Sequence, residues 1–136
     1  MNLPTDTHRL RVLLIDDDDV IAGSLRQYLA TRDCDVTVAV DRDSAMLRVA
    51  AQEFDVIFVD PYLTGAVHDE HAALITAARS RQPHASLIVL TAYASREIAQ
   101  AAREHRALAV LTKPQSVVFL GDLVSSSRDA AQLSSL

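Results

Sequence analysis

Apolar runs and amphipathic segments alternate five times along this chain. The short apolar runs predict strands near residues 11–15, 35–40, 55–59, 86–90 and 108–111. The segments between them space their apolar residues as helices do, and they predict helices near 19–32, 43–53, 68–82, 95–105 and 115–126. Strands that alternate with helices form βαβ units with parallel strands and right-handed crossovers. The pattern therefore predicts an α/β fold built on one parallel sheet.

The length is that of one globular domain. A chain of 136 residues can bury a core of its own, and the sequence has neither an internal repeat nor a recognisable second domain. We expect residues 1–9 to form a flexible N-terminal arm, 10–126 the folded domain, and 127–136 a Ser-rich tail or the start of a linker. The composition turns to Ser, Ala and Gln from Ser125 onward, so the fifth helix is expected to fray there.

Charge and cysteine content exclude several classes of function. The net charge is −5 and Lys and Arg form no long run, which argues against nucleic-acid binding. No apolar stretch approaches the roughly 18 residues of a membrane span or has the pattern of a signal peptide. The single cysteine, Cys34, cannot form an internal disulfide and fits a reducing compartment. These features predict a soluble, cytoplasmic protein.

Reactive side chains follow four of the five predicted strands. Ligands of parallel α/β sheets bind at the carboxyl ends of the strands, so residues at these positions lie along one edge of the sheet. The four positions hold Asp16 and Asp17 after the first strand, Asp60 after the third, Thr91 after the fourth, and Thr112 with Lys113 after the fifth. Carboxylates, hydroxyls and an ammonium group at one edge predict a single site.

The acidic run from Asp16 to Asp19 has two explanations. Asp18 or Asp19 can cap the first helix, because a carboxylate there accepts free backbone N–H groups and favours the helix dipole. Capping does not account for Asp16 and Asp17, which are predicted to leave the sheet beside Asp60. Two carboxylates about 4 Å apart repel by roughly 4 kcal/mol at an effective dielectric near 20, so three together need a cation or a raised pKa. Since carboxylate oxygens suit hard ions, Asp16, Asp17 and Asp60 predict a Mg²⁺ site.

Lys113 and Thr91 complete the predicted chemistry. A Lys before Pro is often an ordinary turn residue, but Lys113 follows an apolar strand and can reach across the sheet edge. Pro114 is a candidate for a cis peptide bond. Thr91 precedes the small Ala92, which leaves room for a ligand oxygen. A carboxylate acceptor, a divalent ion, an ammonium group and a hydroxyl are together what phosphoryl transfer requires.

With these residues in this order, the chain resembles the receiver domain of two-component response regulators over about residues 10–126. The resemblance implies a flavodoxin-like, doubly wound sheet of five parallel strands in the order 2-1-3-4-5, with helices on both faces. It also implies a signalling domain rather than an enzyme, one that catalyses only its own phosphorylation and dephosphorylation. Its partners would be a histidine kinase or phosphotransfer protein, a downstream target that binds the face of helix 4, strand 5 and helix 5, and a second copy in a possible homodimer.

The resemblance also implies a role for each residue of the site. Asp60 would accept the phosphoryl group from a phosphohistidine. Mg²⁺ would be held by Asp17, Asp60 and the backbone carbonyl of Tyr62, with Asp16 helping through water. The phosphoryl oxygens would be bound by Thr91 and Lys113.

Several positions depart from the pattern of the family. Val110 stands where a Tyr or Phe usually rotates on activation, and Arg106 replaces the usual Gly before Ala107. In the loop after Asp60, Thr64 replaces a common Pro and His68 a common Gly. Two aromatic residues, Tyr62 and Tyr93, each lie two residues past a site residue, and we expect their rings to crowd the approach of hydrolytic water.

Other functions remain as alternatives. The run Asp16-Asp17-Asp18-Asp19-Val20 also matches the nucleophile loop of haloacid dehalogenase-like phosphatases, with Asp16 as nucleophile and Gly121-Asp122 as the later motif. The two residues between Pro114 and Val117 leave no room for the helix that this family needs. A receiver-like module that binds partners without phosphorylation is a further alternative. His68 and His71 could hold a transition metal, but the sequence offers no third ligand, and an acidic first turn is ordinary for a helix.

Overall fold

Five parallel strands form the centre of the molecule in the order β2-β1-β3-β4-β5. The structure, a computed structural model, describes residues 9–63 and 71–134 of the chain. The strands are β1 (Leu10–Ile15), β2 (Cys34–Ala39), β3 (Val56–Val59), β4 (Ser86–Thr91) and β5 (Ala109–Thr112). No strand end differs from its predicted position by more than one residue. The parallel sheet and its order are therefore confirmed.

A helix follows each strand. Within the described residues the helices are α1 (Asp19–Ala30), α2 (Arg42–Ala51), α3 (His71–Arg81), α4 (Arg96–Glu104) and α5 (Val117–Ser134). Asp18 caps α1, because its side chain accepts the backbone N–H groups of Val20 and Ile21. The capping explanation for the acidic run is thus correct for Asp18, and Asp19 is the acidic residue of the first turn. No helix within the described part of the chain is long and apolar enough to cross a membrane.

Alternate side chains of each strand face opposite sides of the sheet and build two separate cores. One core contains Leu13, Ile57 and Leu87 from the strands and lies under α2, α3 and α4, with the side chains of Val49, Ile75 and Ile98. The other contains Leu14, Phe58 and Ile88 and lies under α1 and α5, with Leu25, Leu29, Leu120 and Val124. The central strand β3 is buried at every position, which explains its continuous apolar run.

The fifth helix is longer than the sequence predicts. Its composition predicts fraying after about residue 126, but the helix continues to Ser134. Ser126 and Ser127 donate their hydroxyls to the carbonyls of Asp122 and Leu123, one turn earlier. These bonds satisfy the polar side chains inside the helix, and the Ala and Gln residues that follow are good helix formers. A Ser-rich composition therefore does not mark the helix end here.

Arg106 adopts the left-handed conformation that the usual Gly would favour. Its φ is 56°, and it follows His105, the C-cap residue of α4. A side chain in this conformation costs about 1–2 kcal/mol. The turn is held by Arg79, which donates Nε to the carbonyl of His105 at 2.7 Å and Nη2 to that of Arg106 at 3.3 Å.

Replacing Arg106 with glycine is expected to stabilise the protein by about 1 kcal/mol. The substitution relieves the left-handed backbone, and it also removes a positive charge whose repulsion, after the larger effect of burial, lowers the pKa of Arg79. Arg103→Gly is the matched control, because Arg103 lies in the last turn of α4 and glycine there should destabilise by about 1 kcal/mol. Urea unfolding measures both; equal signs for the two variants would contradict the prediction.

Candidate functional site

Three backbone hydrogen bonds place the candidate site at the carboxyl edge of the sheet. The N–H groups of Asp16, Asp60 and Lys113 donate to the carbonyls that end the neighbouring strands, at 3.0, 2.9 and 2.8 Å. Those carbonyls belong to Ala39, Ile15 and Thr91. Each of these residues thus continues the ladder by one bond as the chain leaves the sheet. The same edge therefore holds the reactive groups that the sequence placed after strands one, three and five.

The ammonium group of Lys113 joins two of the acids. Its Nζ lies 2.9 Å from Asp60 Oδ2 and 2.9 Å from Asp16 Oδ2, and the contact with Asp60 is a hydrogen bond. Burial lowers the pKa of Lys113, but the attraction of Asp60 and Asp16 outweighs burial, so the pKa is raised above its usual value. Lys113 therefore stays protonated as the counter-charge of the site. The Lys113–Pro114 bond is cis, as expected.

Asp16 is an under-compensated buried carboxylate. Its side chain is 1% exposed. Its Oδ1 accepts the N–H of Asp18 at 2.9 Å. Its Oδ2 has the ionic contact with Lys113 but no hydrogen bond of good geometry. Burial raises the pKa of Asp16, and Lys113 opposes this in part. A second cation near Oδ2 would therefore be favoured.

The arrangement fits a metal ion. Asp16, Asp17 and Asp60 each offer a carboxylate oxygen, and these oxygens lie within 4.8 Å of one another. Asp17 is exposed, while Asp16 and Asp60 are buried, so the cluster opens to solvent on one side. An open cluster of carboxylate oxygens is the kind of site that Mg²⁺ or Ca²⁺ occupies.

Asp60 is held through both carboxylate oxygens. Lys113 contacts Oδ2, and the backbone N–H of Tyr62 donates to Oδ1 at 3.0 Å. Asp60 is 6% exposed. Hydrogen bonds to both oxygens fix the orientation of the carboxylate in front of the acidic cluster.

Thr91 lies at the same edge, but its hydroxyl bonds locally. Its side chain is fully buried, and Oγ1 accepts the N–H of Tyr93 at 3.2 Å and donates to the carbonyl of Tyr93 at 3.3 Å. The sequence predicts a hydroxyl that faces the crevice. In this structure it holds the loop that follows β4 instead, so its contact with a phosphoryl oxygen stays a prediction.

Two tyrosines meet beside the site. The ring centroids of Tyr62 and Tyr93 are 6.4 Å apart, and the hydroxyl of Tyr62 donates to Ser95 Oγ at 3.4 Å. Both rings could be singled out from the sequence, but the bond from Tyr62 to Ser95 could not, because these two residues are 33 positions apart in the chain. Their effect on hydrolysis stays a prediction.

Some of the expectations concern other parts of the chain. Thr64 and His68 lie outside the described residues, as does the side chain of His71, so the transition-metal pair considered above is not described either. Gly121 and Asp122, the second motif of the phosphatase alternative, lie inside helix α5. This agrees with the spacing argument against that alternative.

The family follows from a comparison with known proteins. A family model described as the response regulator receiver domain matches residues 12–124. The chain belongs to this family. Receivers are signalling domains that interact with histidine kinases and effector domains. The resemblance drawn from the sequence is thereby confirmed.

Individual relatives agree with this assignment. The receiver is 30% identical over 116 residues to a response regulator receiver protein of Anaeromyxobacter sp. strain Fw109-5, a match that covers 83% of this chain and 46% of the relative. It is 34% identical to the response regulator protein FleR of Pseudomonas aeruginosa, covering 85% and 24%. The chain therefore spans less than half the length of these relatives.

Solved structures have the same fold. A response regulator of Burkholderia pseudomallei, crystallised with a phosphorylated aspartic acid, calcium ion and citrate, superposes with a TM-score of 0.73 at 31% identity, over 88% of this chain and 72% of that one. A CheY-like receiver domain of Methanospirillum hungatei superposes with a TM-score of 0.84 at 24% identity, over 93% and 99%. The second likeness concerns the fold alone.

Proposed function

We propose that this receiver accepts a phosphoryl group on Asp60 from the phosphohistidine of a histidine kinase or phosphotransfer protein. The observation that carries the proposal is the position of Lys113 Nζ, 2.9 Å from both Asp60 and Asp16, in front of three clustered carboxylates. An ion pair alone would need one acid. Carboxylates clustered beside this pair favour a bound cation, which a phosphoryl-transfer site needs.

The proposed step is a transfer between two nucleophiles. A carboxylate oxygen of Asp60 attacks phosphorus, the O–P bond forms, and the N–P bond to the donor imidazole breaks with its electron pair returning to nitrogen. Lys113 neutralises negative charge on the transferred group, and the N–H of Tyr62 keeps the carboxylate aimed at the donor. Thr91 would release Tyr93 to bind a phosphoryl oxygen.

Asp16, Asp17, Asp60 and the backbone carbonyl of Tyr62 would hold Mg²⁺, with Asp16 acting through water. When bound, the ion would supply positive charge that stabilises the transferred group. The acids fit this role because Asp16 Oδ2 is buried without a hydrogen bond and Asp17 is exposed. The Burkholderia neighbour, whose crystals contain a phosphorylated aspartic acid and a calcium ion, supports the same arrangement here.

Phosphorylation would act as a switch for partner binding. The carboxylate gains charge, to about −2 in the acyl phosphate, and draws Thr91 and Lys113 inward. Both residues lie at the ends of strands that neighbour α4 and α5, so the face of α4, β5 and α5 is the proposed surface for the downstream partner or a second copy. A kinase partner also supports the proposed cytoplasmic location.

Uptake of a phosphoryl group tests the proposal. The protein is incubated with acetyl phosphate and either Mg²⁺ or excess EDTA, and intact mass is measured over time. We expect the mass of one phosphoryl group to be gained with Mg²⁺ and not with EDTA, and the modified peptide to contain Asp60. Absence of uptake under both conditions would favour the receiver-like module that works without phosphate.

A further inference from the structure

In β5, Val110 occupies the position where receivers usually have an aromatic side chain that helps to transmit the signal from the phosphorylated aspartate. Val110 is half-buried and packs beside the core under α2, α3 and α4. Its short side chain has no rotation comparable to that of a Tyr or Phe. If Asp60 is phosphorylated as proposed above, another group must transmit the change to α4.

Tyr62 connects Asp60 to the start of α4. Its backbone N–H donates to Asp60 Oδ1 at 3.0 Å, and its hydroxyl reaches Ser95 Oγ at 3.4 Å. Ser95 is the N-cap of α4, because its Oγ accepts the N–H of Ile98 at 3.2 Å. One residue thus touches the proposed acceptor carboxylate at one end and the helix cap at the other.

Tyr93 connects Thr91 to the ring of Tyr62. The hydroxyl of Thr91 bonds both the N–H and the carbonyl of Tyr93, and the ring of Tyr93 contacts that of Tyr62. Tyr93 is 67% exposed, so its ring has room to move. When Thr91 turns toward a phosphoryl oxygen, both of these bonds to Tyr93 are lost.

We propose that Tyr62, Tyr93 and Ser95 form a relay that carries the phosphorylation state of Asp60 to the N-terminus of α4. The relay rests on the proposed function and replaces the aromatic residue missing at position 110. Tyr62 and Ser95 act as positioning residues in it, because neither side chain touches the reacting atoms.

The geometry suits a switch of this kind. Oxygen–oxygen hydrogen bonds are commonly near 2.7–2.8 Å, so the 3.4 Å contact between Tyr62 and Ser95 is weak and can change partner at low cost. A change at Asp60 alters the bond to Tyr62 N–H, and a change at Thr91 alters both bonds to Tyr93. Two separate inputs from the site therefore converge on one pair of rings and on one helix cap.

The test compares amide chemical shifts in the Mg²⁺ form with those after saturation with Mg²⁺ and beryllofluoride, a mimic of the phosphoryl group on a carboxylate. The reporters are the amides of Ile98 and Ala102 in α4. Tyr62→Phe removes the hydroxyl and keeps the backbone, while Ser95→Gly removes Oγ at a position where glycine is a tolerated cap. Tyr28→Phe in α1 and Ser95→Thr are the controls.

We expect the change in the amide chemical shift of Ala102 on addition of beryllofluoride to fall below half of the wild-type value in Tyr62→Phe and in Ser95→Gly. The corresponding change at Ile98 should also fall below half in Tyr62→Phe. Both controls should respond as the wild type does. A merely structural role would alter the spectrum of the Mg²⁺ form but not the size of the change. Full responses in Tyr62→Phe would overturn the relay. If the wild type neither binds beryllofluoride nor takes up phosphate, the proposed function fails, and the relay with it.

Discussion

Asp60→Asn is expected to abolish uptake of a phosphoryl group, whereas Asp16→Asn is expected to slow it by roughly 10- to 100-fold. The side-chain amide introduced at position 60 would keep an oxygen for the N–H of Tyr62 but is not a nucleophile, so no acyl phosphate can form. Asparagine at position 16 keeps Oδ1 for the N–H of Asp18 and loses one negative charge at the proposed metal site. Asp60→Asn therefore tests whether Asp60 accepts the phosphoryl group, and Asp16→Asn tests whether Asp16 supports binding of the metal ion.

Intact mass after incubation with acetyl phosphate and Mg²⁺ measures both variants. The pair also distinguishes the receiver from a phosphatase that uses Asp16 as its nucleophile, for which the order of effects would be reversed. Asp122→Asn is the control, because Asp122 is exposed on α5 and should leave uptake unchanged. Phosphoryl uptake in Asp60→Asn equal to that of the wild type would rule out the proposed acceptor.

The strands and the candidate site could be predicted because both depend on short-range patterns. The run Val56–Val59 is apolar at every position, which predicts a strand buried on both faces. Parallel topology then brings Asp16, Asp60 and Lys113 to one edge of the sheet. The end of α5 could not be predicted in this way. Serines bond backward to helix carbonyls there, and composition alone does not show which partner a hydroxyl takes.

Hydrogen bonds from side chains to backbone carbonyls could not be predicted from the sequence either. Arg79 of α3 donates Nη1 to the carbonyls of Gln82, Pro83 and Ala85, in addition to its bonds with the carbonyls at the end of α4. Nothing in the local sequence predicts such contacts, because the acceptors are backbone groups that every residue carries. A charged cluster can be predicted from one sequence because its residue types reveal it, whereas a side chain that bonds backbone groups has no such signature.

These contacts give the two ends of α4 different attachments. The C-terminal turn is tied to α3 through Arg79 and through Thr76 Oγ1, which lies 3.0 Å from His105 Nε2. The N-terminal cap, Ser95, is tied to the site by the long contact with Tyr62. A helix that is firmly held at one end and weakly at the other should pivot about the firm end. The proposed relay therefore acts on the end of α4 that has the weaker polar attachment.

Gln82→Ala is expected to destabilise the protein by about 3 kcal/mol or more. Gln82 is 5% exposed; its Oε1 accepts the N–H of Phe54 at 3.0 Å, and its Nε2 donates to the carbonyls of Val49 and Gln52 at 2.8 Å each. Truncation leaves three backbone groups without these partners. Those of Phe54 and Val49 form buried bonds, whereas that of Gln52 is partly buried, and each buried unsatisfied group costs about 1–3 kcal/mol.

Gln100→Ala is the matched control, because Gln100 is exposed on α4 and its amide bonds Glu104. We expect that change to stay within about 0.5 kcal/mol. Urea unfolding of both variants gives the free energies. A loss below about 1 kcal/mol in Gln82→Ala would mean that water or a local rearrangement replaces all three bonds, and that the link from α2 and β3 to the end of α3 contributes little to the fold. The expected larger loss would identify Gln82 as the residue that joins these elements on the face opposite α1 and α5.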